Sequence, residues 1–398
     1  MGRFRVRAPE IVTLGCRMNI AESERIAGLV SGAEDLVVVN SCAVTSEAVR
    51  ATRQAIRRAR RARPEARLLV TGCAADIERD ALSAMPEIDG IVPNVDKLDA
   101  RRYNVPAAMV SERQALGHTR AFLAVQNGCD HACTFCVIPL GRGRSRSLTI
   151  EHVVCEAQEL VAQGVAELVL TGVDLTSWGH DLPGAPSLGM LVDAVLEAVP
   201  DLPRLRLSSV DGVEIDEHLL ALLIEEPRLM PHIHLSLQHG HDLILKRMKR
   251  RHSRADAIEL VARLKAGRPD IAIGADLIAG FPTESEEHHR ANLSIVRELE
   301  IVHGHVFPYS ARPRTPAARM PQVDRAIVKA RAAELRAAIA NARNTWMGEQ
   351  IGVPQRVLAE RDGGGYAENF ARVALPHGTV PGTIVTITPT SHAKGMLQ

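Results

Sequence analysis

Three short apolar runs near the start of the chain each end in a cysteine. They occupy residues 10–16, 35–42 and 67–73, and the stretches between them have the composition of helices. Strand, helix and strand at this spacing predict an open parallel α/β sheet, in which ligands bind beyond the carboxyl ends of the strands. We therefore expect Cys16, Cys42 and Cys73 to lie at one edge of that sheet.

A second group of cysteines, Cys129, Cys133 and Cys136, falls within eight residues. Three thiolates hold most of a four-iron cluster and leave one iron open, whereas four thiolates are usual for such a cluster. Structural zinc is the alternative, but it is closed by four ligands, and His131 would have to be the fourth. The sequence thus predicts two incomplete thiolate sites, each holding an iron-sulfur cluster with an open iron.

Length and composition indicate a globular protein of two or three domains. The 398 residues exceed one ordinary hydrophobic core, and 46% of them are apolar while 24% are charged. Six of the seven cysteines fall into the two trios, which favours metal binding in a reducing compartment over disulfides. Since no apolar stretch approaches the roughly 20 residues of a membrane span and no export signal is recognisable, we expect a cytoplasmic protein without a membrane partner.

Beyond residue 120 the alternation of strands and helices resumes. About six parallel strands with helices between them predict a full or partial β/α barrel, whose active residues lie at the carboxyl ends of the strands. The second cysteine trio directly follows the first of these strands. The candidate strands are residues 121–126, 167–171, 204–208, 232–236, 271–276 and 303–307.

The end of the chain changes character. One long helix is predicted over residues 324–347, followed by short strands at 353–359, 366–374 and 383–388 that glycines separate. The predicted fold class is therefore α/β, with a small all-β module at the end. Pro93, Asn94, Pro106 and Gly117 mark a linker. The predicted domains are residues 1–115 for the amino-terminal sheet, 116–345 for the barrel and 346–398 for the β module.

The spacing Cys129-x3-Cys133-x2-Cys136, with Phe135 before the last cysteine, resembles the radical S-adenosylmethionine (SAM) enzymes. That resemblance implies that the open iron of a 4Fe-4S cluster binds SAM. One electron then cleaves SAM to a 5′-deoxyadenosyl radical, which abstracts a hydrogen atom from an unactivated carbon. The three cysteines are thus the expected catalytic centre. The expected SAM contacts are Phe135 and, at predicted strand ends, Thr171, Gly172, Ser209 and Gln238.

The first trio resembles the amino-terminal domain of methylthiotransferases. The matching segments are Thr13-Leu-Gly-Cys16-Arg-Met-Asn19, Asn40-Ser-Cys42 and Thr71-Gly-Cys73. The resemblance implies a second 4Fe-4S cluster, whose open site carries the sulfur to be inserted. It continues through the barrel, for example in His234-Leu-Ser-Leu-Gln238 and Asp276-Leu-Ile-Ala-Gly-Phe-Pro282. The terminal module resembles the small RNA-binding TRAM domain, although it is short for one.

Methylthiotransferases modify either an adenosine beside the tRNA anticodon or an aspartate of a ribosomal protein. The protein-modifying branch typically has proline after the first cysteine, whereas this chain has Arg17-Met-Asn19 and the continuation Glu22-Ser-Glu24. That is similar to the branch that modifies C2 of N6-threonylcarbamoyladenosine (t6A) at tRNA position 37, which is the predicted reaction. The alternatives are isopentenyladenosine in tRNA, a ribosomal aspartate, or a non-catalytic iron-sulfur or zinc RNA-binding protein.

The predicted partners are tRNA through its anticodon loop, a reducing electron donor such as flavodoxin or ferredoxin, and a sulfur donor. Arg142, Arg144 and Arg146 follow the second trio and are predicted to contact RNA phosphates. The arginines of residues 50–63 form either a phosphate-binding surface or a solvated helix face. Tyr366 and Phe370 either stack on bases or pack in the core.

Overall fold

The computed structural model of this chain describes residues 7–105 and 119–398. The predicted linker residues Pro106 and Gly117, and the predicted boundary after residue 115, lie outside the described residues. Among the described residues, no helix combines the length and the apolar character needed to cross a lipid bilayer.

The described residues form two compact units. The first comprises residues up to 105 together with Asn127–Ser145 and Ser310–Thr315. The second comprises 119–126, Arg146–Tyr309 and Pro316–Gln398. The segment that carries the second cysteine trio thus belongs to the same unit as the first trio. The domain boundaries drawn from the sequence follow a different division and stay predictions.

The first unit is built on a parallel sheet with helices on both faces. Val37 and Val39 pack with Ile56 on one face of the sheet, while Val38 of the same strand faces the other way and packs with Ile26. Its strands, in order across the sheet, are Glu10–Thr13 (β1), Leu36–Ser41 (β2), Arg67–Gly72 (β3) and Gly90–Ile91 (β4). Its α-helices are Arg17–Leu29 (α1), Ser46–Ala62 (α2), Cys73–Ile77 (α3), Arg79–Ser83 (α4) and Ile138–Arg142 (α5).

The second unit contains two parallel sheets, β5-β8-β9 and β10-β11-β12-β13, which together form a partial β/α barrel. Its strands are Ala121–Ala124 (β5), Glu167–Thr171 (β8), Arg204–Leu207 (β9), Ser209–Val210 (β10), His232–Gln238 (β11), Ala272–Ala279 (β12) and Ile301–Pro308 (β13). The two-residue strands Gln126–Asn127 (β6) and Arg146–Ser147 (β7) lie where the chain passes between the units. The helices are Ile150–Ala162 (α6), Leu188–Ala198 (α7), Glu217–Glu225 (α8), Asp242–Met248 (α9), Arg254–Gly267 (α10), Glu286–Glu298 (α11) and Arg325–Glu349 (α12).

Alternate residues of the barrel strands face opposite sides. Leu205 and Leu207 of β9 belong to the apolar core that the strands share with the helices. Arg204 and Arg206 are on the other face, which we call the inner face, and they are almost fully buried. There the Nε and Nη2 atoms of Arg206 each donate to Glu167 at 3.2 Å. The predicted α/β class with a partial barrel is confirmed, and the inner face of the barrel is polar.

The carboxyl-terminal module is a six-stranded sheet in the order β17-β14-β15-β16-β19-β18, with β16 and β19 parallel and the other pairs antiparallel. Its strands are Gln355–Ala359 (β14), Gly364–Ala367 (β15), Arg372–Ala374 (β16), Ile384–Ile387 (β17), His392–Ala393 (β18) and Met396–Leu397 (β19). The single strand predicted over residues 366–374 is wrong, because a tight turn divides it. In that turn the N–H of Ala367 donates to Ala371 O at 2.9 Å, and Phe370 adopts a φ of +68°.

Candidate active site

The first cysteine trio lies at the carboxyl edge of the amino-terminal sheet. Cys42 directly follows β2, Cys73 directly follows β3, and Cys16 precedes α1 shortly after β1. Cys42 and Cys73 are buried, whereas Cys16 is exposed. Gly15 has a φ of +92°, and a Cβ atom there would lie 2.7 Å from the Cys42 sulfur. Only glycine therefore lets the segment that carries Cys16 approach Cys42.

The surroundings of these thiols oppose their simultaneous ionisation. Burial, and to a smaller extent the neighbouring Cys16 and Cys73, raises the pKa of Cys42 to about 11. Burial also raises the pKa of Cys73, although Arg142 and Lys97 act in the opposite direction. A bound metal supplies the positive charge that stabilises several thiolates at once. This donor set therefore fits a metal cluster held by three thiolates.

A buried ion network lies beside the first trio. Glu22 of α1 pairs with Lys97 and, at 2.8 Å from Oε1 to Nη1, with Arg142 of α5; the three side chains are at most 3% exposed. Arg142 also donates from Nη2 to Asn19 Oδ1 at 2.7 Å. Burial alone would raise the pKa of Glu22, but the two cations outweigh it and hold that pKa below its usual range. The network joins α1 to α5.

Arg142 was predicted to contact RNA, but the structure places its side chain in the interior of the first unit. Its guanidinium group is enclosed by protein and donates to Glu22, Asn19 and Asn127, so a phosphate has no access to it. Arg144 and Arg146, two and four residues further, are exposed. For these two arginines the phosphate contact stays a prediction.

Glu22 and Lys97 were not predicted as parts of this site. A signal for Glu22 was available, because it lies four residues from both Met18 and Ile26, which are buried on the same face of α1. A carboxylate within an apolar helix face needs a buried counter-charge. The identity of that counter-charge depends on Lys97 and Arg142, which are distant in the sequence.

The second cysteine trio lies in the loop between β6 and α5, and all three side chains are partly exposed. The backbone N–H of Cys129 donates to Gly143 O at 3.1 Å, which closes the loop. The N–H groups of His131 and Ile138 donate to the sulfurs of Cys129 and Cys136, both at 3.4 Å. Such donors stabilise the negative charge of cluster-bound thiolates and tune the reduction potential. This donor set also fits an iron-sulfur cluster.

The helix that follows the second trio lies against a cysteine of the first trio within the first unit. A Cβ atom at Gly141 of α5 would lie 3.4 Å from Cys73 Cβ and 3.0 Å from Ile77 Cδ1 of α3. Asn94 reinforces this approach, since its Nδ2 donates to Gly141 O at 2.5 Å. The absence of a side chain at Gly141 therefore brings the helix that follows Cys136 directly against Cys73.

The residues predicted to contact SAM are divided between the units. Phe135 is partly buried in the cysteine loop of the first unit, and the other four belong to the barrel. Thr171 ends β8, Gly172 follows it, Ser209 begins β10 and Gln238 ends β11. These four occupy carboxyl-terminal positions on the barrel strands or begin the strand that follows. SAM contact stays a prediction for all five.

The barrel also contains an imidazole–carboxylate cluster that was not predicted from the sequence. Asp276 Oδ1 lies 2.9 Å from His234 Nε2 and 3.1 Å from His305 Nδ1. Burial alone would raise the pKa of Asp276, but hydrogen bonds from both imidazoles hold it well below its usual range. The alternation of histidine with apolar residues in β11 was the available signal, because it indicates a polar inner face.

Arginines line an open cavity of about 460 Å³ in the first unit. Arg50, Arg53 and Arg57 of α2 lie on one side of it, and Arg312 on the other. Glu78 contacts Arg53 at 3.6 Å and Arg312 at 3.0 Å. One carboxylate among four guanidinium groups leaves a positive surplus that suits a phosphate. The cavity therefore favours the phosphate-binding alternative for this part of α2.

Tyr366 and Phe370 are occupied by protein contacts. Their rings stack on each other at 4.7 Å, and Phe370 stacks on His232 at 4.8 Å. Arg120 lies over the Tyr366 ring at 4.6 Å, and Arg206 over the Phe370 ring at 4.9 Å. These contacts favour the core-packing alternative over base stacking.

Two family models match the chain. The Radical SAM superfamily matches residues 123–293, and a family described as the uncharacterized protein family UPF0004 matches residues 9–93. The UPF0004 match contains Cys16, Cys42 and Cys73, and the Radical SAM match contains Cys129, Cys133 and Cys136.

Curated relatives cover nearly the whole chain. Threonylcarbamoyladenosine tRNA methylthiotransferase MtaB of Rickettsia prowazekii is 44% identical over 382 residues, which are 92% of this chain and 91% of that protein. MtaB of Aquifex aeolicus is 33% identical over 90% of this chain and 94% of its own. The tRNA-2-methylthio-N(6)-dimethylallyladenosine synthase of Paracoccus denitrificans is 32% identical over 89% of this chain and 86% of its own.

Solved structures match at the level of the fold. The radical SAM methyltransferase TsrM from Kitasatospora setae gives a TM-score of 0.53 at 18% identity, covering 76% of this chain and 68% of that chain. The cobalamin-dependent SAM radical enzyme OxsB gives 0.51 at 9% identity, covering 85% of this chain and 56% of that chain.

Proposed function

Because the chain belongs to the radical SAM methylthiotransferase family, we propose that it adds a methylthio group to C2 of t6A at position 37 of tRNA. The substrate is taken from the Rickettsia relative, whose name specifies threonylcarbamoyladenosine and whose identity is 44%. The dimethylallyladenosine enzyme of Paracoccus, at 32% identity, supplies the competing substrate. Arg17 directly after the first cysteine agrees with the t6A branch.

The observation that carries the proposal is the presence of both cysteine trios in one compact unit, with Gly141 against Cys73. A reaction that inserts sulfur at an unactivated carbon needs a radical source and a sulfur source close together. When bound, two 4Fe-4S clusters and SAM supply the hydrogen-atom abstraction, the sulfur and the methyl group, and a donor such as flavodoxin or ferredoxin supplies the electron.

The residues of the chain hold and orient these groups. Each trio offers three thiolates and leaves one iron of its cluster without a protein ligand. The N–H donors of His131 and Ile138 orient the sulfurs of the second site. The ion pair of Glu22 with Arg142 holds α1 against α5 and thereby fixes the spacing of the two sites.

The arginine-lined cavity and the exposed Arg144 and Arg146 support tRNA as the partner. Guanidinium groups bind phosphates without reading sequence, so they position the RNA while the barrel recognises the base. The net charge of +1 gives no general attraction to nucleic acid, and a local basic surface is therefore needed.

The proposal is tested with the full-length chain, reconstituted anaerobically with iron and sulfide and supplied with SAM and a reductant. We expect a methylthio derivative of t6A in nucleosides from tRNA that carries t6A, measured by mass spectrometry. Cys129→Ala removes a proposed ligand and should abolish the product. Cys155→Ala, a change at the exposed cysteine outside both trios, should not. Methylthiolation of dimethylallyladenosine in place of t6A would refute the proposed substrate.

A further inference from the structure

The inner face of the barrel holds a polar subsite that the proposed chemistry does not use. His305 of β13 has a side chain that is 62% exposed, and its Nδ1 is fixed 3.1 Å from the partly buried Asp276. We infer that His305, oriented by Asp276, binds the polar N6 substituent of the substrate adenosine and thereby selects the substrate. This inference rests on the proposed function and deepens it.

The position of the cluster is appropriate for the base. His234 is the register partner of Ser209, and Asp276 is the register partner of His305. Leu277, the residue after Asp276, is the register partner of Gln238. Because Ser209 and Gln238 are the predicted SAM contacts of this sheet, the cluster lies next to the strand positions at which SAM is expected.

The hydrogen bonds define what His305 offers to a ligand. The ionised Asp276 only accepts, so Nδ1 of His305 donates to it. Nε2 of His305 then accepts a hydrogen bond in the neutral ring and donates one in the protonated ring. No residue in the described part of the chain bonds that Nε2. Nε2 is therefore a polar atom held in a fixed orientation and accessible from outside the protein.

Asp276 is itself fixed. His234, which is 4% exposed, contacts the same carboxylate oxygen from the other side at 2.9 Å. Its ring lies 4.7 Å from the ring of His305. A Cβ atom at Gly274 would come within 2.4 Å of His234 Nδ1, so the strand leaves room for this imidazole only because position 274 is glycine. The orientation of His305 is thus determined by packed neighbours.

The chemistry of the two competing substrates differs where His305 would act. C2 and C6 of adenine flank the same ring nitrogen, so a site that holds C2 near SAM also holds the N6 substituent close by. A threonylcarbamoyl group offers a carboxylate, a hydroxyl and a urea, whereas a dimethylallyl group offers no hydrogen-bonding atom. The His305 imidazole can form a hydrogen bond with the threonylcarbamoyl group, whereas the dimethylallyl group offers it no such bond.

The test compares binding of anticodon stem-loop RNAs that differ only at N6 and carry t6A, dimethylallyladenosine or adenosine. We expect wild-type protein to prefer the t6A RNA by about 10- to 100-fold, the range for one hydrogen bond to a charged group. His305→Phe should reduce the preference to about threefold or less. His218→Phe is the matched control, because it also removes an imidazole paired with an aspartate, here between α8 and α7, where His218 lies 3.4 Å from Asp193. This variant should keep the wild-type preference.

Further measurements distinguish substrate selection by His305 from a general structural role. His305→Gln keeps a donor and an acceptor and should retain part of the preference, while both variants should bind the adenosine RNA, which lacks an N6 substituent, as the wild-type protein does. An unchanged preference for t6A in a folded His305→Phe protein would overturn the inference while leaving the proposed function standing. A wild-type protein that methylthiolates only dimethylallyladenosine would overturn the proposed function and the inference together.

Discussion

The Nη1 atom of Arg142 lies 2.8 Å from the Oε1 atom of Glu22, and both side chains are almost fully buried. This ion pair connects the helix that follows Cys16 with the helix that follows Cys136. Lys97 binds the other oxygen of Glu22, so two cations share one carboxylate. Burial of such a group is tolerated only while its partners remain in place.

Replacement of Glu22 by glutamine should therefore destabilise the first unit. Arg142 and Lys97 would remain as buried cations without a counter-charge, and the free energy of unfolding should fall by about 3 to 5 kcal/mol. Urea unfolding followed by circular dichroism measures this change. Asp130→Asn is the control, because it removes the partner of the exposed Arg144 at 3.4 Å and should cost less than about 1 kcal/mol. Equal losses of unfolding free energy in the two variants would contradict the assignment of Glu22 as the buried counter-charge of Arg142 and Lys97.

Removal of the first trio should distinguish the contributions of the two metal sites. In the triple replacement of Cys16, Cys42 and Cys73 by alanine, the iron content should fall from about eight to about four atoms per chain. Reductive cleavage of SAM should continue, because it depends on the second trio, while the methylthio product should disappear. A variant that retains about eight irons, or that still forms the product, would show that the first trio holds no cluster.

Gly128, directly before Cys129, should be intolerant of a side chain. Its φ is +79°, and a Cβ atom there would lie 1.9 Å from Arg144 O. Gly128→Ala should displace the cysteine loop, and both iron binding at the second site and SAM cleavage should be lost. Gly164→Ala is the matched control, since Gly164 has a φ of +88° but no described atom within 4 Å of the added carbon. Similar behaviour of the two variants would indicate that backbone strain alone matters.

The arginines of α2 should contribute to tRNA binding according to their position. Replacing Arg50 and Arg57, which line the cavity, by alanine should weaken binding and reduce the slope of log K against log salt by about 2. Replacing Arg58 and Arg61, exposed residues of the same helix outside the cavity, should have a smaller effect. Filter binding at several salt concentrations measures both. No loss of binding in either variant would favour the solvated-face interpretation.

Much of the fold follows from local patterns. The apolar runs that end in Cys42 and Cys73 correspond to β2 and β3. A short, continuous apolar run between two helical segments is typical of a buried parallel strand. The barrel strands were predicted for the same reason. The error at residues 366–374 arose because strand-forming residues lie on both sides of the turn, and only the pairing of β15 with β16 identifies it.

The candidate site was less predictable than the fold. The thiol ligands are recognisable because their spacing is local, whereas Arg142 owes its burial to Glu22, a residue 120 positions away. The cluster of His234, Asp276 and His305 likewise depends on the register of three strands. Charge pairs across such distances are set by tertiary packing, which the sequence does not display.

The central claim is that this chain converts t6A of tRNA to its methylthio derivative. The most direct measurement is mass spectrometry of tRNA nucleosides from cells that lack the protein, compared with cells in which it is restored. We predict that methylthio-t6A disappears, that t6A accumulates in its place, and that restoration reverses both changes. Persistence of methylthio-t6A, or loss of a methylthio dimethylallyl nucleoside in its place, would contradict the claim.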